Sequence, residues 1–198
     1  LWYRRTFNIP KEWKGKNVLL HFGAVDRISS VFINDKKVGN HIGGYTAFSF
    51  DITEYLNSGE NTLIVGAWDP NDGQAASGKN GPRGEYTFTS GKWQSVWLEP
   101  VAADHISHVK LIPDVASKRL EIDVTAAANG LTVIAVANDG GKQVARTEGV
   151  SGKKFTLSIP NPKLWSPDSP FLYDLTLELR DRKGRVVDRV EGDFGKRT

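Results

Sequence analysis

The chain has 198 residues, 39% hydrophobic and 25% charged, with 26 Lys and Arg against 23 Asp and Glu for a formal net charge of +3. That suits one large β domain or two small ones with packed cores, and the charges are mixed along the chain without the basic stripe that nucleic acid requires. No apolar run approaches the ~20 residues of a transmembrane helix, and the absence of cysteine removes disulfides, thiolate nucleophiles and cysteine-based zinc sites together.

Alternation of apolar and polar residues dominates the first half. TFNI (Thr6–Ile9), NVLLHF (Asn17–Phe22), SVFIN (Ser30–Asn34), FSFDI (Phe48–Ile52), TLIVGAW (Thr62–Trp68) and SVWLEPV (Ser95–Val101) read as strands. Val18, Leu20 and Phe22 share one face, and Leu19 and His21 the other. Asn34-Asp35-Lys36-Lys37 reads as a hairpin tip. Gly43-Gly44, Ser58-Gly59 and Gly91 mark further turns, with Tyr45 expected in the core. Asp51–Leu56 is expected to form a single helical turn capped by Asp51 or Thr53. Asn61-Thr62-Leu63 reads as strand initiation after a turn.

Between TLIVGAW and a further strand-like stretch, EYTFTS (Glu85–Ser90), lies DPNDGQAASGKNGPRG (Asp69–Gly84). It is polar, rich in Gly and Asn, and longer than connections in compact domains usually are, which marks it as functional or disordered.

The second half repeats the pattern in a tighter frame. His105–Asp114, Arg119–Ala128 and Leu131–Asn138 read as strands, and Asn138-Asp139-Gly140-Gly141 offers the φ > 0 residues of a hairpin turn. KQVART, KFTLSI and LYDLTLELRD follow, and RDRKGR reverses the chain into VVDRVEGDF. Leu175, Leu177 and Leu179 form one face. About seven short strands in this stretch fit an immunoglobulin-like sandwich. The chain is therefore expected to be all-β, with a boundary between residues 102 and 103.

Three segments carry a resemblance: WYRRTFNIP (Trp2–Pro10); the run from Val31 to Pro70, closed by SGKWQSVWLEPV (Ser90–Val101); and LWSPDSPFLYDLTLELRD (Leu164–Asp181), with DFGKRT at the end. In this order they resemble the N-terminal part of glycoside hydrolase family 2 enzymes, the class of β-galactosidases, β-glucuronidases and β-mannosidases. The resemblance implies a jelly-roll of the sugar-binding type over 1–102, then an immunoglobulin-like sandwich over 103–198. A (β/α)₈ barrel with the catalytic glutamates would follow. The family more often shows Phe-Gly-Phe-Arg at the hand-over, and Lys196 departs from that. The Asn-Glu pair that carries the family's acid/base Glu is absent, so no catalytic residue is expected in this chain.

The resemblance also implies that the loop after TLIVGAW reaches the mouth of the barrel. Asp69 matches an aspartate that contacts the sugar, and Asn71, Asp72, Gln74, Lys79 and Asn80 are further candidates for substrate contacts. The local alternative is that Asp69 caps a turn before Pro70. Nothing in the stretch would desolvate Asp69 or Asp72 in the way a glycosidase acid requires. His105 and His108 stand three apart in a strand, on opposite faces, and form no metal site. No P-loop or dinucleotide fingerprint is present, so neither cofactor nor metal is expected.

The first function expected is a non-catalytic N-terminal fragment of a β-galactosidase-type exo-glycosidase, with the barrel of the same parent and its carbohydrate substrate as partners. It would support the barrel and present an apolar patch to it near the chain end. The alternative is an autonomous carbohydrate-binding module using exposed tryptophans. Of the six, Trp13 in KEWKGK is expected to be the exposed one, the others lying in strand patterns that suggest burial, and Trp165 is expected to plug the second sandwich. A third reading is a structural, adhesin-like pair of sandwiches. The chain opens with LWYRRTF and contains no Met, which suggests a piece of a longer protein whose leader could have been lost. A periplasmic or secreted location follows if such a leader exists.

Overall fold

The structure is a computed structural model, which describes residues 1–69 and 90–197. The chain divides into two compact units, Leu1–Val101 and Ala102–Thr198. Both are built from antiparallel strands, and the described helical segments are single 3₁₀ turns at Lys11–Trp13 and Thr53–Tyr55.

The first unit is a jelly-roll. Its strands are β1 (Trp2–Asn8), β2 (Asn17–Phe22), β3 (Val25–Asp26), β4 (Ile28–Ile33), β5 (Lys36–Ile42), β6 (Phe48–Asp51), β7 (Glu60–Trp68), β8 (Gly91–Lys92) and β9 (Val96–Val101). They form a four-stranded sheet, β1-β7-β4-β5, a three-stranded sheet, β6-β2-β9, and a short pair, β3-β8. The pleat turns the alternating sequence into an inside and an outside. Val18, Leu20 and Phe22 of β2, Val31 and Ile33 of β4, and Val65 and Ala67 of β7 are buried in one core.

Asn34 and Asp35 adopt φ of 50° and 63°, the conformation of a tight hairpin turn, here joining β4 to β5. At the expected helical turn, an Asp51 carboxylate oxygen accepts from the Thr53 amide at 2.9 Å, so Asp51 closes the turn from two residues upstream.

The second unit is an immunoglobulin-like sandwich of β10 (Ile106–Asp114), β11 (Arg119–Ala126), β12 (Thr132–Asp139), β13 (Lys142–Val150), β14 (Phe155–Ser158), β15 (Tyr173–Arg180) and β16 (Val186–Phe194). One sheet runs β10-β11-β14 and the other β13-β12-β15-β16. Leu120, Ile122 and Val124 of one sheet face Val133, Ala135, Leu175, Leu177 and Leu179 of the other across a single core. Gly140 and Gly141, at φ of 56° and 82°, turn β12 into β13 where a side chain would be strained. The ladder of β10 with β11 shifts register between Ile106 and His108. His105 is buried ahead of the strand, with Nδ1 3.0 Å from the Ala102 carbonyl, and His108 is exposed.

Lys196 is the residue whose place in this sandwich the motif did not foretell. It is fully buried (0% exposed). Its Nζ donates to the Asp114 carbonyl oxygen at 3.4 Å, and its own carbonyl accepts from the Trp165 amide at 2.7 Å. Burial pushes the ammonium below the ordinary lysine value of 10.5, and the nearby Asp114 charge only partly opposes this. Below the lowered value the folded and unfolded chains both carry the proton, and the folded chain bears the desolvation cost. Between the lowered value and 10.5 only the unfolded chain keeps the proton, so stability rises with pH; above 10.5 the penalty is gone. Lys196→Met is therefore expected to stabilise this unit by about 1 kcal/mol at pH 7. The advantage should shrink as the pH climbs towards and past 10.5. Urea midpoints of both proteins across that range check it, and a gap that stays constant would count against the assignment.

Candidate functional site

The site candidate lies at one end of the jelly-roll, where β7 ends. Asp69 directly follows Trp68, the last residue of β7. Ser90 donates its hydroxyl to an Asp69 carboxylate oxygen at 3.3 Å. That bond ties the two ends of the long stretch together before Gly91 begins β8.

From Ser90 the contacts continue through named neighbours. Gly91 pairs with Asp26 across β3 and β8. The Asp26 carboxyl lies so close to Gly44 that a Cβ there would collide with it, which is why the turn needs glycine at this position. The Gly44 carbonyl accepts the Trp93 indole N–H at 2.8 Å, and the Trp93 ring meets Tyr45 edge-on at 5.9 Å between centroids. Asp69, Ser90, Asp26, Gly44, Trp93 and Tyr45 thus form a connected chain of carboxylates, a hydroxyl and aromatic rings.

The expectation for the aromatics is reversed. Tyr45 is 60% exposed rather than in the core, and Trp2, Trp68, Trp93 and Trp97 are exposed as well. Trp13 is half-buried and packs against the jelly-roll core. The reason is pleat parity. Trp68 follows the inward-facing Ala67, and Trp97 sits between Val96 and Leu98, which pack on the core, so both rings point outward. Trp97 lies flat on His21 at 4.9 Å. The 3₁₀ turn, closed by the Trp13 amide on the Pro10 carbonyl at 3.0 Å, folds Trp13 back instead. In the second unit Trp165 is partly exposed beneath the Arg197 guanidinium, 5.0 Å from its ring. Leu172 packs with Trp165 against Gly195, and Leu164 and Leu172 are exposed, which puts apolar surface beside the end of β16.

Of the residues singled out from the sequence, Asp69 is the one described. Asn71, Asp72, Gln74, Lys79 and Asn80 lie outside the described residues. The sequence reading missed Asp26, Ser90, Tyr45 and Trp93 as members of this cluster. The Gly-Gly-Tyr and Gly-Lys-Trp turns were the available signal. Chemically the arrangement is suited to binding. A carboxylate accepts hydroxyl hydrogen bonds, and exposed ring faces offer negative potential to C–H groups. Among the described residues, no group of three or more His, Asp or Glu is arranged to hold a metal ion.

Comparison with known proteins gives the same picture for both units. The family described as "Glycosyl hydrolases family 2, sugar binding domain" matches residues 1–99, and "Glycosyl hydrolases family 2" matches residues 104–197. A β-glucuronidase of Bacteroides fragilis is 33% identical over 98% of this chain and 31% of its own length. A β-galactosidase of Thermoanaerobacter pseudethanolicus is 30% identical over 100% of this chain and 28% of its own. The crystal structure of a glycosyl hydrolase family 2 member from Bacteroides cellulosilyticus superposes with a TM-score of 0.77 at 26% identity, over 98% of this chain and 28% of that one. The chain thus spans 28% to 31% of the length of these relatives.

Proposed function

Since the chain belongs to glycosyl hydrolase family 2, we propose that it serves as the non-catalytic front part of an exo-glycosidase that cleaves O-glycosidic bonds, of β-galactosidase type. In this reading the catalytic (β/α)₈ barrel belongs to the same, longer polypeptide. The jelly-roll and the sandwich support it, and Asp69 lends a carboxylate to its sugar site. The observation that carries the reading is the placement of Asp69 at the end of β7, tied to Ser90 and flanked by exposed aromatics. The lengths of the relatives and the apolar surface around Leu164 and Leu172 support it.

The test is Asp69→Ala in the product of the complete gene. The expected result is a fall in kcat/KM of ten-fold or more, about 1.4 kcal/mol of transition-state binding, with an unchanged melting temperature because Asp69 lies outside the core. Unchanged kinetics would leave Asp69 as the cap of a turn. Residues 1–198 alone are expected to hydrolyse no aryl glycoside above background, since the paired carboxyls of such a site are not recognisable here. Turnover abolished by mutating one of the chain's own carboxylates would overturn that.

A second reading, an autonomous carbohydrate-binding module, is favoured by the Tyr45–Trp93 pair. Its indole N–H is already satisfied by Gly44, leaving the ring faces to act as a preset platform. Calorimetric titration of residues 1–198 with galactosides and glucuronides separates the two readings. Binding lost in Trp93→Ala supports the module, and absence of binding supports the first reading.

A further inference from the structure

The outer face of the four-stranded sheet β1-β7-β4-β5 carries an aromatic ring for which the core has no use. Trp2 stands opposite Gly66. Three adjacent carbons of its six-membered ring lie 2.8, 2.9 and 3.2 Å from where a Cβ on Gly66 would be, so the indole lies face-down across the glycine. Gly66 is buried for that reason, although it alternates with the inward-facing Val65 and Ala67 and belongs to the outward set of β7. Shielding the strand uses one face of the indole. The other stays in water, with Trp2 70% exposed. Phe32 of β4 meets the ring at a tilt, 6.4 Å between centroids.

The register sets polar groups beside this ring. Ser30 pairs with Gly66 on one side and with Asn40 on the other, so Trp2, Gly66, Ser30 and Asn40 form one row across the sheet. The Ser30 hydroxyl donates to the Asn40 side-chain oxygen at 2.8 Å. This turns the exposed amide so that its NH2 group is left to donate. The next row runs from Arg4 through Ile64 and Phe32 to Lys37, which sets an exposed cation at each end. Neither row contains an Asp or Glu.

This set of groups fits a chain of sugar rings that carries negative charge. An aromatic face attracts the C–H groups of a sugar ring, amide hydrogens meet its hydroxyls, and guanidinium and ammonium groups meet carboxylate or sulfate. Single-stranded nucleic acid also stacks and carries charge, but it calls for a continuous basic groove that tracks its backbone, and two cations on a flat sheet do not make one. We infer that the outer face of β1-β7-β4-β5 is a carbohydrate site of its own, for an acidic glycan: Trp2 is the stacking platform, Asn40 binds hydroxyls, and Arg4 and Lys37 hold the anionic groups. The site is independent of the roles proposed for Asp69 and for the Tyr45–Trp93 pair.

The experiment is calorimetric titration of the product of the complete gene at low ionic strength, where contacts of exposed charges are least screened. The probes are oligogalacturonate and sulfated dextran, their uncharged counterparts methyl-esterified oligogalacturonate and dextran, and oligothymidylate. At least one acidic probe is expected to bind about ten-fold or more tightly than its counterpart, and the tighter of the two tells carboxylate from sulfate. Arg4→Gln and Trp2→Ala should each weaken that binding by about ten-fold or more, while Asp69→Ala leaves it unchanged. Arg4→Gln keeps the indole seated on Gly66, so it decides the matter even if Trp2→Ala fails to fold. Equal affinity for charged and uncharged probes, or no binding, would overturn the site. So would wild-type affinity in either variant, or tighter binding of oligothymidylate than of the acidic glycans. Loss of binding in Asp69→Ala would place the acidic glycan at the end of β7 instead, with the same consequence.

Discussion

Replacing Asn61 with alanine is expected to destabilise the Leu1–Val101 unit by about 3 kcal/mol, because it strips partners from several buried polar groups at once. Asn61 is fully buried. Its side-chain oxygen accepts from Asn34 Nδ2 and from the Asn57 amide, each at 2.7 Å. Its Nδ2 donates to the Gly59 carbonyl at 2.9 Å and the Asn57 carbonyl at 3.3 Å. Asn34 completes the network, donating to the Tyr55 carbonyl at 2.8 Å and accepting from the Thr62 amide at 2.9 Å. The cluster joins the hairpin tip of β4 and β5 to the turn before β7, segments 21 to 28 residues apart in the chain. Five of the six tryptophans lie in this unit, so their fluorescence during urea unfolding reports it. Asn34→Ala and Asn61→Ala should combine non-additively, with a coupling above about 0.5 kcal/mol. A loss under 1 kcal/mol for Asn61→Ala, set against the 1–3 kcal/mol typical of a single orphaned group, would show that water takes over these bonds.

In the Ala102–Thr198 unit the largest effect is expected at Tyr173. Its ring is buried, stacked on Phe194 at 5.3 Å and met edge-on by Phe171 at 4.8 Å. Its hydroxyl accepts from the Lys163 amide at 2.7 Å, holding the segment before β15 onto the core. Tyr173→Ala removes ring and bond together and should cost about 4 kcal/mol. Tyr173→Phe removes only the hydroxyl and should cost about 1 kcal/mol. Exchange of the β12 and β15 amides, governed by opening of this core, measures both. Equal costs for the two variants would mean that the ring is dispensable and only the hydrogen bond matters.

The strands were legible because the alternation of side chains and the pleat share one period. Val18, Leu20 and Phe22, or Leu175, Leu177 and Leu179, state their face in the sequence. The hairpin at Asn34-Asp35 and the turn at Gly140-Gly141 were legible for a local reason too, since few residues accept positive φ. Asp69 was picked out by the family resemblance, since its local pattern alone reads as a turn cap before Pro70.

The membership of the site was not legible. Asp26, Gly44 and the pair Ser90 and Trp93 that flanks β8 come from three separate parts of the chain, and their proximity depends on how β3 pairs with β8. Nor could the fate of Tyr45 and the tryptophans be read from their hydrophobicity. A large ring is buried only if its register points it inward, and register is a long-range property.

By itself, then, the sequence determined the all-β class, the turn chemistry and the family, because each is written in local pattern and motif. Only the tertiary structure decided that Trp13 turns in while Trp68 and Trp97 turn out, and that Lys196 is enclosed beside Asp114. Those outcomes depend on which strands become neighbours, and strand pairing across tens of residues is settled by the packing of the whole unit rather than by any short stretch of it.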